Sequence, residues 1–526
     1  MADTSHLDMR NRSDIMSSLE RDIFDILVIG GGITGAGIAR DAAMRGLSVA
    51  LIEARDFASG TSSRSSKMIH GGLRYLPQGE IGLVREAATE RKKLYAIAPH
   101  LAQPAWFILP TTSRSSTAKL KAALWTFDQL GGVAKADRHR ILSRQELADI
   151  EPVIRSEKLH RAIIYREYLT DDARLTLANI RSAKANGAVV VNYLSAARVT
   201  GGTVSEVLCQ STLAGDDGEC SIRARAVINA AGPWVDQVRR AEQDSASDRL
   251  VLSKGIHVVV PKKVLPVEYT SIINTPDKRA IFAVPHGAFT YIGTTDSFYS
   301  DRDYWPSVEQ EDVDYLLSAT KTALHADALS SSAITSVWAG IRPLIQQEGK
   351  SAKDISRKDE IWTGPHGMLS IAGGKLSAYR AMAERIVDQV VETGQFTARA
   401  CETDEQPLPG GEQVAKTTAA ISALGEENSE RLLRLYGTEA AELAEDGGDV
   451  AAEARRAVLT EGALTLEDYW VRRSGRAWFD HVSGLDSLPD AAAEMAALLD
   501  WNDDRMKSEI AQCREIDRQS KANISI

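Results

Sequence analysis
The hexapeptide Gly30-Gly31-Gly32-Ile33-Thr34-Gly35 carries glycines spaced as GxGxxG, at Gly30, Gly32 and Gly35. The chemistry such a spacing serves is the capture of a pyrophosphate. The first glycine permits a tight turn, the second lets phosphate oxygens approach the backbone, and the third lets helix and strand pack closely. Glu53 follows 21 residues after Gly32, where a carboxylate can accept hydrogen bonds from an adenosine ribose. FAD and NAD share the ADP half, so these residues alone leave both open.

The flanking sequence supplies the elements that must position this turn. Asp25-Ile26-Leu27-Val28-Ile29 is a near-continuous apolar run, as in a parallel strand covered on both faces. Ile33 to Arg45 is rich in small residues and reads as a helix closed at Gly46. Its N-terminal end offers free N–H groups and partial positive charge to the phosphates. Ser48 to Glu53 is the next strand, which completes a βαβ unit. In that context a glycine-rich turn without a ligand is the weaker reading.

The chain has 526 residues, 44% hydrophobic and 25% charged. That is length for about three domains, and a globular rather than disordered composition. A net charge of −10 repels polyanions on average and speaks against non-specific nucleic-acid binding. Cys209, Cys220, Cys401 and Cys513 include no CxxC pair. That argues against a zinc site, an iron–sulfur cluster or a disulfide framework, and suits a reducing cytoplasm. No apolar run approaches the ~20 residues of a membrane span.

Residues 1–22 lack the apolar core of a signal peptide and are expected to form a mobile tail. Strand-like segments recur at 188–191, 226–232, 256–260 and 289–292. The later ones, broken by Pro and Gly, read as an antiparallel sheet of a substrate domain. Pro407, Pro409, Gly410 and Gly411 form a linker, and the Ala/Glu/Leu/Arg-rich sequence beyond predicts helices from about 412 to 515. The expected division is a tail over 1–22, a dinucleotide-binding domain interleaved with a substrate domain over 23–400, and a linker with a helical domain over 401–526.

Three further segments narrow the cofactor and the reaction. They are Thr61-Ser62-Ser63-Arg64-Ser65-Ser66-Lys67-Met68-Ile69-His70-Gly71-Gly72-Leu73-Arg74-Tyr75-Leu76, Asp171-Asp172-Ala173-Arg174-Leu175, and Gly373-Gly374-Lys375-Leu376-Ser377-Ala378-Tyr379-Arg380. Together with Asn229-Ala230-Ala231-Gly232-Pro233-Trp234 and Gly293-Thr294-Thr295-Asp296, the chain resembles the FAD-dependent, respiratory glycerol-3-phosphate dehydrogenases. The resemblance runs from about Asp25 to Arg380, and more faintly through Thr465 to Asp468 and Arg472-Arg473. It departs from the family pattern before Asp171, where Glu167, Tyr168 and Leu169 stand.

The resemblance implies an α/β fold: a Rossmann-like FAD-binding domain interleaved with a mixed or antiparallel-sheet substrate domain, plus an all-helical C-terminal domain. It implies FAD as cofactor, oxidation of sn-glycerol 3-phosphate to dihydroxyacetone phosphate, and electron delivery to a membrane quinone. Peripheral attachment to the cytoplasmic face of the cell membrane and a homodimer are implied with it. By matching motifs, Arg74, Tyr75, Arg342, Arg357 and Lys375 are candidates to hold the substrate phosphate, for which Arg forks suit the oxygens best. Gly30, Gly32, Gly35, Glu53, Thr61, Ser62, His70, Gly232, Gly374 and Lys375 are the candidate cofactor-binding residues. No metal ligand is expected.

Alcohol oxidation also needs a base with a pKa near the working pH. His257, in Lys254-Gly255-Ile256-His257-Val258, is the candidate, since an imidazole is neutral at pH 7. Arg342 is expected to steady the developing alkoxide, because a guanidinium holds its proton too tightly to act as base. The helix expected after Gly374 would point its positive end at the flavin pyrimidine edge.

A membrane contact is sought in Lys119 to Leu130, where Leu120, Ala123, Leu124 and Phe127 fall at helical spacing beside Lys119, Lys121 and Trp125. An ordinary core-facing helix explains the same spacing. Two alternative enzymes remain: a glycerol-phosphate oxidase that passes electrons to O2, and a flavin oxidase of amines or amino acids. A non-enzymatic redox sensor would need neither base nor phosphate clamp.

Overall fold
The structure, a computed structural model, describes residues 5–71, 81–130, 132–277, 279–347 and 358–525. Among these, two sheets carry the architecture. In the first, Leu369–Ala372, Glu219–Asn229, Ile23–Ile29, Val49–Ile52 and Val189–Val191 run parallel in that order. Glu360–Thr363 closes one edge, and the strands Leu194–Thr200 and Ser205–Ser211 form a meander onto Glu219–Asn229. The expected βαβ unit lies at the centre, and its Ile33–Met44 helix is buried from Gly35 onward. A β-carbon on Gly35 would lie 1.9 Å from the Gly30 carbonyl oxygen, so only glycine lets the helix sit this close.

The second sheet is mostly antiparallel, and Leu250–Pro261 is its axis. That strand pairs with Ser336–Ile345 along one edge, and with Phe289–Gly293 and Ser297–Tyr299 along the other. Side chains alternate between the two faces of a strand. Ile256, Val258 and Val260 enter a core with Val313 and Leu316 of the helix Gln310–Ala323. The opposite face therefore presents Ser253, Gly255 and His257. The register sets Ser253 beside Arg342, Gly255 beside Gly340, and His257 beside Trp338.

Beyond the linker the chain is helical, from Ala419–Ala423 to Asp503–Ser520. These helices do not stand apart. Ala454, Val458, Leu466 and Trp478 share a core with Val259, Tyr291 and Trp338 of the second sheet. Arg40 fastens the linker by donating to the Thr403 and Gln406 carbonyls at 2.9 and 2.6 Å.

The expectation of a mobile tail over 1–22 is corrected. Arg12–Arg21 is a helix that buries Leu19, and Leu7 and Met9 are buried too. Arg12 donates to the Asn192 and Tyr193 carbonyls, both at 2.7 Å, and Leu7 pairs with Glu461. A helix of ten residues is marginal by itself. Tertiary contacts decide here, and charge-rich sequence does not announce them.

Candidate active site
A cavity of about 1290 Å³ joins the two sheets. Gly30, Gly32, Glu53, Thr61, Ser62, His70, Gly232, His257, Arg342, Gly374 and Lys375 all line it. Gly35 stays beneath the turn, in its packing role. Arg74, Tyr75 and Arg357 lie outside the described residues.

At the first sheet the wall is largely backbone. Gly30 has φ +116°, and a β-carbon there would meet the Ala230 carbonyl oxygen at 2.6 Å. Glu53 accepts the Gly31 N–H at 2.6 Å and the Arg55 N–H at 2.9 Å, one on each oxygen. Burial pushes this carboxyl upward against the pull of those two donors. Ser62 does more than line the wall, since its Oγ accepts the Ile33 N–H at 2.9 Å and fixes the helix start. Thr61 donates to the Ile341 carbonyl at 2.5 Å and stitches the turn to the second sheet.

Gly373 and Gly374 have φ +82° and +76°, and a β-carbon on Gly374 would meet Met382 Sδ at 2.3 Å. Lys375 follows, at the start of a single turn, Leu376–Ala378, that runs into the expected helix, Tyr379–Gly394.

At the second sheet the wall is made of side chains. His257 is buried and stacks on Trp338, with centroids 4.6 Å apart and planes 14° apart. Its Nε2 lies 2.9 Å from Ser66 Oγ, and its Nδ1 is buried with no hydrogen-bond partner among the described residues. Burial first, then the nearby charges of Arg342 and Lys67, hold the imidazole well below its usual range, hence neutral. Arg342 donates from Nη2 to Thr294 Oγ1 at 2.8 Å and from Nη1 to Asp296 Oδ1 at 3.2 Å.

Between these two residues lies the pair Gly255 and Gly340. A β-carbon on Gly255 would sit 2.1 Å from the Arg342 guanidinium, and one on Gly340 would sit 2.3 Å from the Arg64 carbonyl oxygen. The two missing side chains leave room for the Arg342 guanidinium over Gly255 and for the Arg64 carbonyl over Gly340.

Several residues of the site were missed from sequence: Ser66, Trp338, Thr294, Asp296, Asp172 and Glu167. Asp172 accepts Lys67 Nζ at 2.5 Å and the Ser65 N–H at 2.9 Å, which fixes the loop bearing Ser66. Glu167 is buried against Arg91 and accepts the Gly71 N–H at 3.0 Å, which fixes the turn after His70. Most of these stand within or beside the quoted segments, but proximity in sequence does not reveal which atoms meet.

A glycine cradle sharing one cavity with a neutral imidazole and a fixed guanidinium is the arrangement of a dinucleotide-dependent oxidoreductase. The family described as FAD dependent oxidoreductase matches residues 25–380, and the C-terminal domain of alpha-glycerophosphate oxidase matches residues 401–506. The aerobic glycerol-3-phosphate dehydrogenase of Staphylococcus haemolyticus is 38% identical, covering 93% of this chain and 94% of its own. That of Bacillus subtilis is 37% identical, covering 94% of each. The solved glycerol-3-phosphate dehydrogenase of Bacillus halodurans, complexed with FAD, superposes with a TM-score of 0.80 at 31% identity, covering 99% of both chains. The chain belongs to the FAD-dependent glycerol-3-phosphate dehydrogenases.

Its cofactor is FAD, and the residues present fit that group. The turn at Gly30 and Gly32 is open where a pyrophosphate must approach. A β-carbon on Gly232 would meet nothing within 4 Å. The cavity volume exceeds the roughly 300–1,000 Å³ of ordinary ligand pockets, as a dinucleotide with a small substrate requires.

Proposed function
We propose that the protein oxidises sn-glycerol 3-phosphate to dihydroxyacetone phosphate and passes the electrons to a membrane quinone. One observation carries the reading: His257 and Arg342 line the same cavity as the glycine cradle. FAD, when bound, supplies the two-electron acceptor for the hydride on the substrate's C2. Gly30, Gly32 and Glu53 would hold its ADP half, and Gly374 with the helix behind it would support its ring system.

The chain's own residues do the rest. Arg342 and Lys375, with Arg74, Tyr75 and Arg357, bind the phosphate dianion and orient C2. Arg342, fixed by Asp296 and Thr294, stabilises negative charge as it grows on the hydroxyl oxygen. His257, which lines the cavity, takes the hydroxyl proton. Burial first, then the charges of Arg342 and Lys67, depress its proton affinity, and a dianion bound beside it offsets the second of these causes.

Turnover should require the phosphate. Glycerol and glycine should leave the enzyme idle where glycerol 3-phosphate drives it; equal rates with glycine would favour an amine oxidase instead.

The acceptor reading draws on the helix Arg114–Leu130. Its inner face buries Leu124 and Phe127, while Trp125 is 60% exposed and Lys119 and Lys121 are exposed. Aromatic and basic groups on an outward face suit a lipid headgroup layer. No helix among the described residues is long and apolar enough to cross a membrane. Attachment is therefore proposed as peripheral, at the cytoplasmic face, with the chain acting as a homodimer. Vesicle flotation tests this: Trp125→Ser combined with Lys119→Glu and Lys121→Glu should stay unbound, and flotation like wild type removes this helix as the anchor. Peroxide yield with and without a quinone analogue separates the quinone reading from a glycerol-phosphate oxidase.

A further inference from the structure
The C-terminal domain carries no obvious chemistry. No described residue beyond Met382 lines the cavity. Yet two loops that form its first-sheet end are fastened to that domain. The loop after Glu53 and the loop at Tyr193 are bonded to each other, Tyr193 N–H to the Arg55 carbonyl and Leu194 N–H to the Glu53 carbonyl, both at 2.8 Å. Glu53, Arg55, Tyr193 and Leu194 all face the cavity.

Behind these loops lies a buried ionic lock. Asp56 accepts both Arg472 and Arg473 of the C-terminal domain, with Arg473 Nη2 to Asp56 Oδ1 at 2.8 Å. Asn192, next to Tyr193, donates to Asp56 at 3.2 Å and to the Gly462 carbonyl at 2.9 Å. Tyr193 donates its hydroxyl to Asp468 at 2.6 Å, and Asp468 in turn accepts Arg472 at 2.8 Å. The two guanidiniums hold the Asp56 carboxyl below its usual range.

Desolvating so many charges makes such a network a poor source of stability. What it does provide is direction: each bond fixes one angle of a loop that faces the ligand. Tyr193 shows the demand most clearly. Its backbone lies at φ 54°, a left-handed conformation that non-glycine residues reach at a cost and keep only when their surroundings impose it.

We propose that the C-terminal domain positions the adenosine end of FAD, acting through Asp56 and Tyr193 rather than by touching the cofactor. This rests on the placement of the ADP half at Gly30 to Glu53. Tyr193, Asp56, Arg472 and Arg473 are thus positioning residues for cofactor capture. A second ionic column between the same domains, Arg181 and Arg456 on Glu439, meets the lock through Glu461 but touches no cavity-lining loop and serves as the control.

The test is FAD titration of the deflavinated full-length protein, followed by flavin fluorescence well below the melting temperature. Tyr193→Phe and Arg473→Lys should each raise the Kd for FAD about tenfold, a typical coupling between linked sites. At saturating FAD their KM for glycerol 3-phosphate should be unchanged. Glu439→Gln should lower the melting temperature while leaving the Kd within about twofold. If Arg473→Lys does not fold, Tyr193→Phe, which loses a single hydroxyl, reads the lock through its neighbouring contact to Asp468. Wild-type affinity in Tyr193→Phe, with affinity lost in Glu53→Gln, overturns the proposal alone. Unchanged affinity in both overturns the cofactor placement with it. A Kd raised equally by Glu439→Gln reduces the lock to general adhesion and overturns it as well.

Discussion
The two ends of the cavity are built on different principles. At the first sheet the wall is a turn whose shape is set by missing side chains, Gly30 at φ +116° and Gly35 against the Gly30 carbonyl, with Glu53 bonded to two N–H groups. At the second sheet the wall is a set of side chains, each oriented by another: His257 by Trp338 and Ser66, Arg342 by Thr294 and Asp296. A backbone cradle suits the ADP half of a cofactor, which stays bound and does not itself react. A side-chain site suits a ligand that must be recognised, deprotonated and released. Damage at the first end should therefore appear as lost cofactor, and damage at the second as lost rate with cofactor retained.

The largest effect belongs to His257. Replacing it by Asn should lower kcat by about 10²–10⁴, the usual worth of a positioned base, with FAD affinity unchanged; flavin content and steady-state rates check both halves. Arg342→Met should follow, with kcat/KM down about 10²–10³, as when one donor to a developing oxyanion is removed. At the other end, Gly30→Ala should yield protein that folds poorly or without flavin, because a β-carbon meets the Ala230 carbonyl and the backbone strain costs about 1–3 kcal/mol. The flavin-to-protein absorbance ratio reads this directly. If Gly30→Ala keeps its flavin and loses rate instead, the division between the ends is wrong.

A smaller effect concerns pH. His257 and His286 are held well below their usual range by burial, and His100 is lowered to about 3. Their protons are bound by the unfolded chain at about pH 6.5 but not by the folded one, so stability falls as pH drops below that point. Each histidine should contribute about 1.4 kcal/mol per pH unit down to its folded pKa. Urea titrations between pH 7 and pH 5 should show the decline, and His286→Gln should make it shallower.

Legibility in the sequence follows the same division. The cradle was readable because its strand, glycines, helix and acid lie within a few tens of consecutive residues, and the physics of each is local. His257 and Arg342 stand out in the sequence and both line the cavity, but their partners do not stand out. Trp338 meets His257, and Gly340 meets Gly255, only through a register between strands some 80 residues apart, and no local pattern encodes that register. The N-terminal helix failed for a related reason: Arg12 is held by carbonyls at Asn192 and Tyr193, which charge-rich sequence does not reveal. The C-terminal arginines are visible as a motif, but no local pattern marks Asp56 as the carboxylate that pairs with both.

The most direct test is anaerobic rapid mixing of the flavin-loaded enzyme with glycerol 3-phosphate, following the visible flavin absorption. The wild type should bleach completely and form one dihydroxyacetone phosphate per flavin, and His257→Asn with the same flavin content should bleach at least about a hundredfold more slowly. Wild-type enzyme that stays yellow, or a His257→Asn variant that bleaches as fast, would contradict the account.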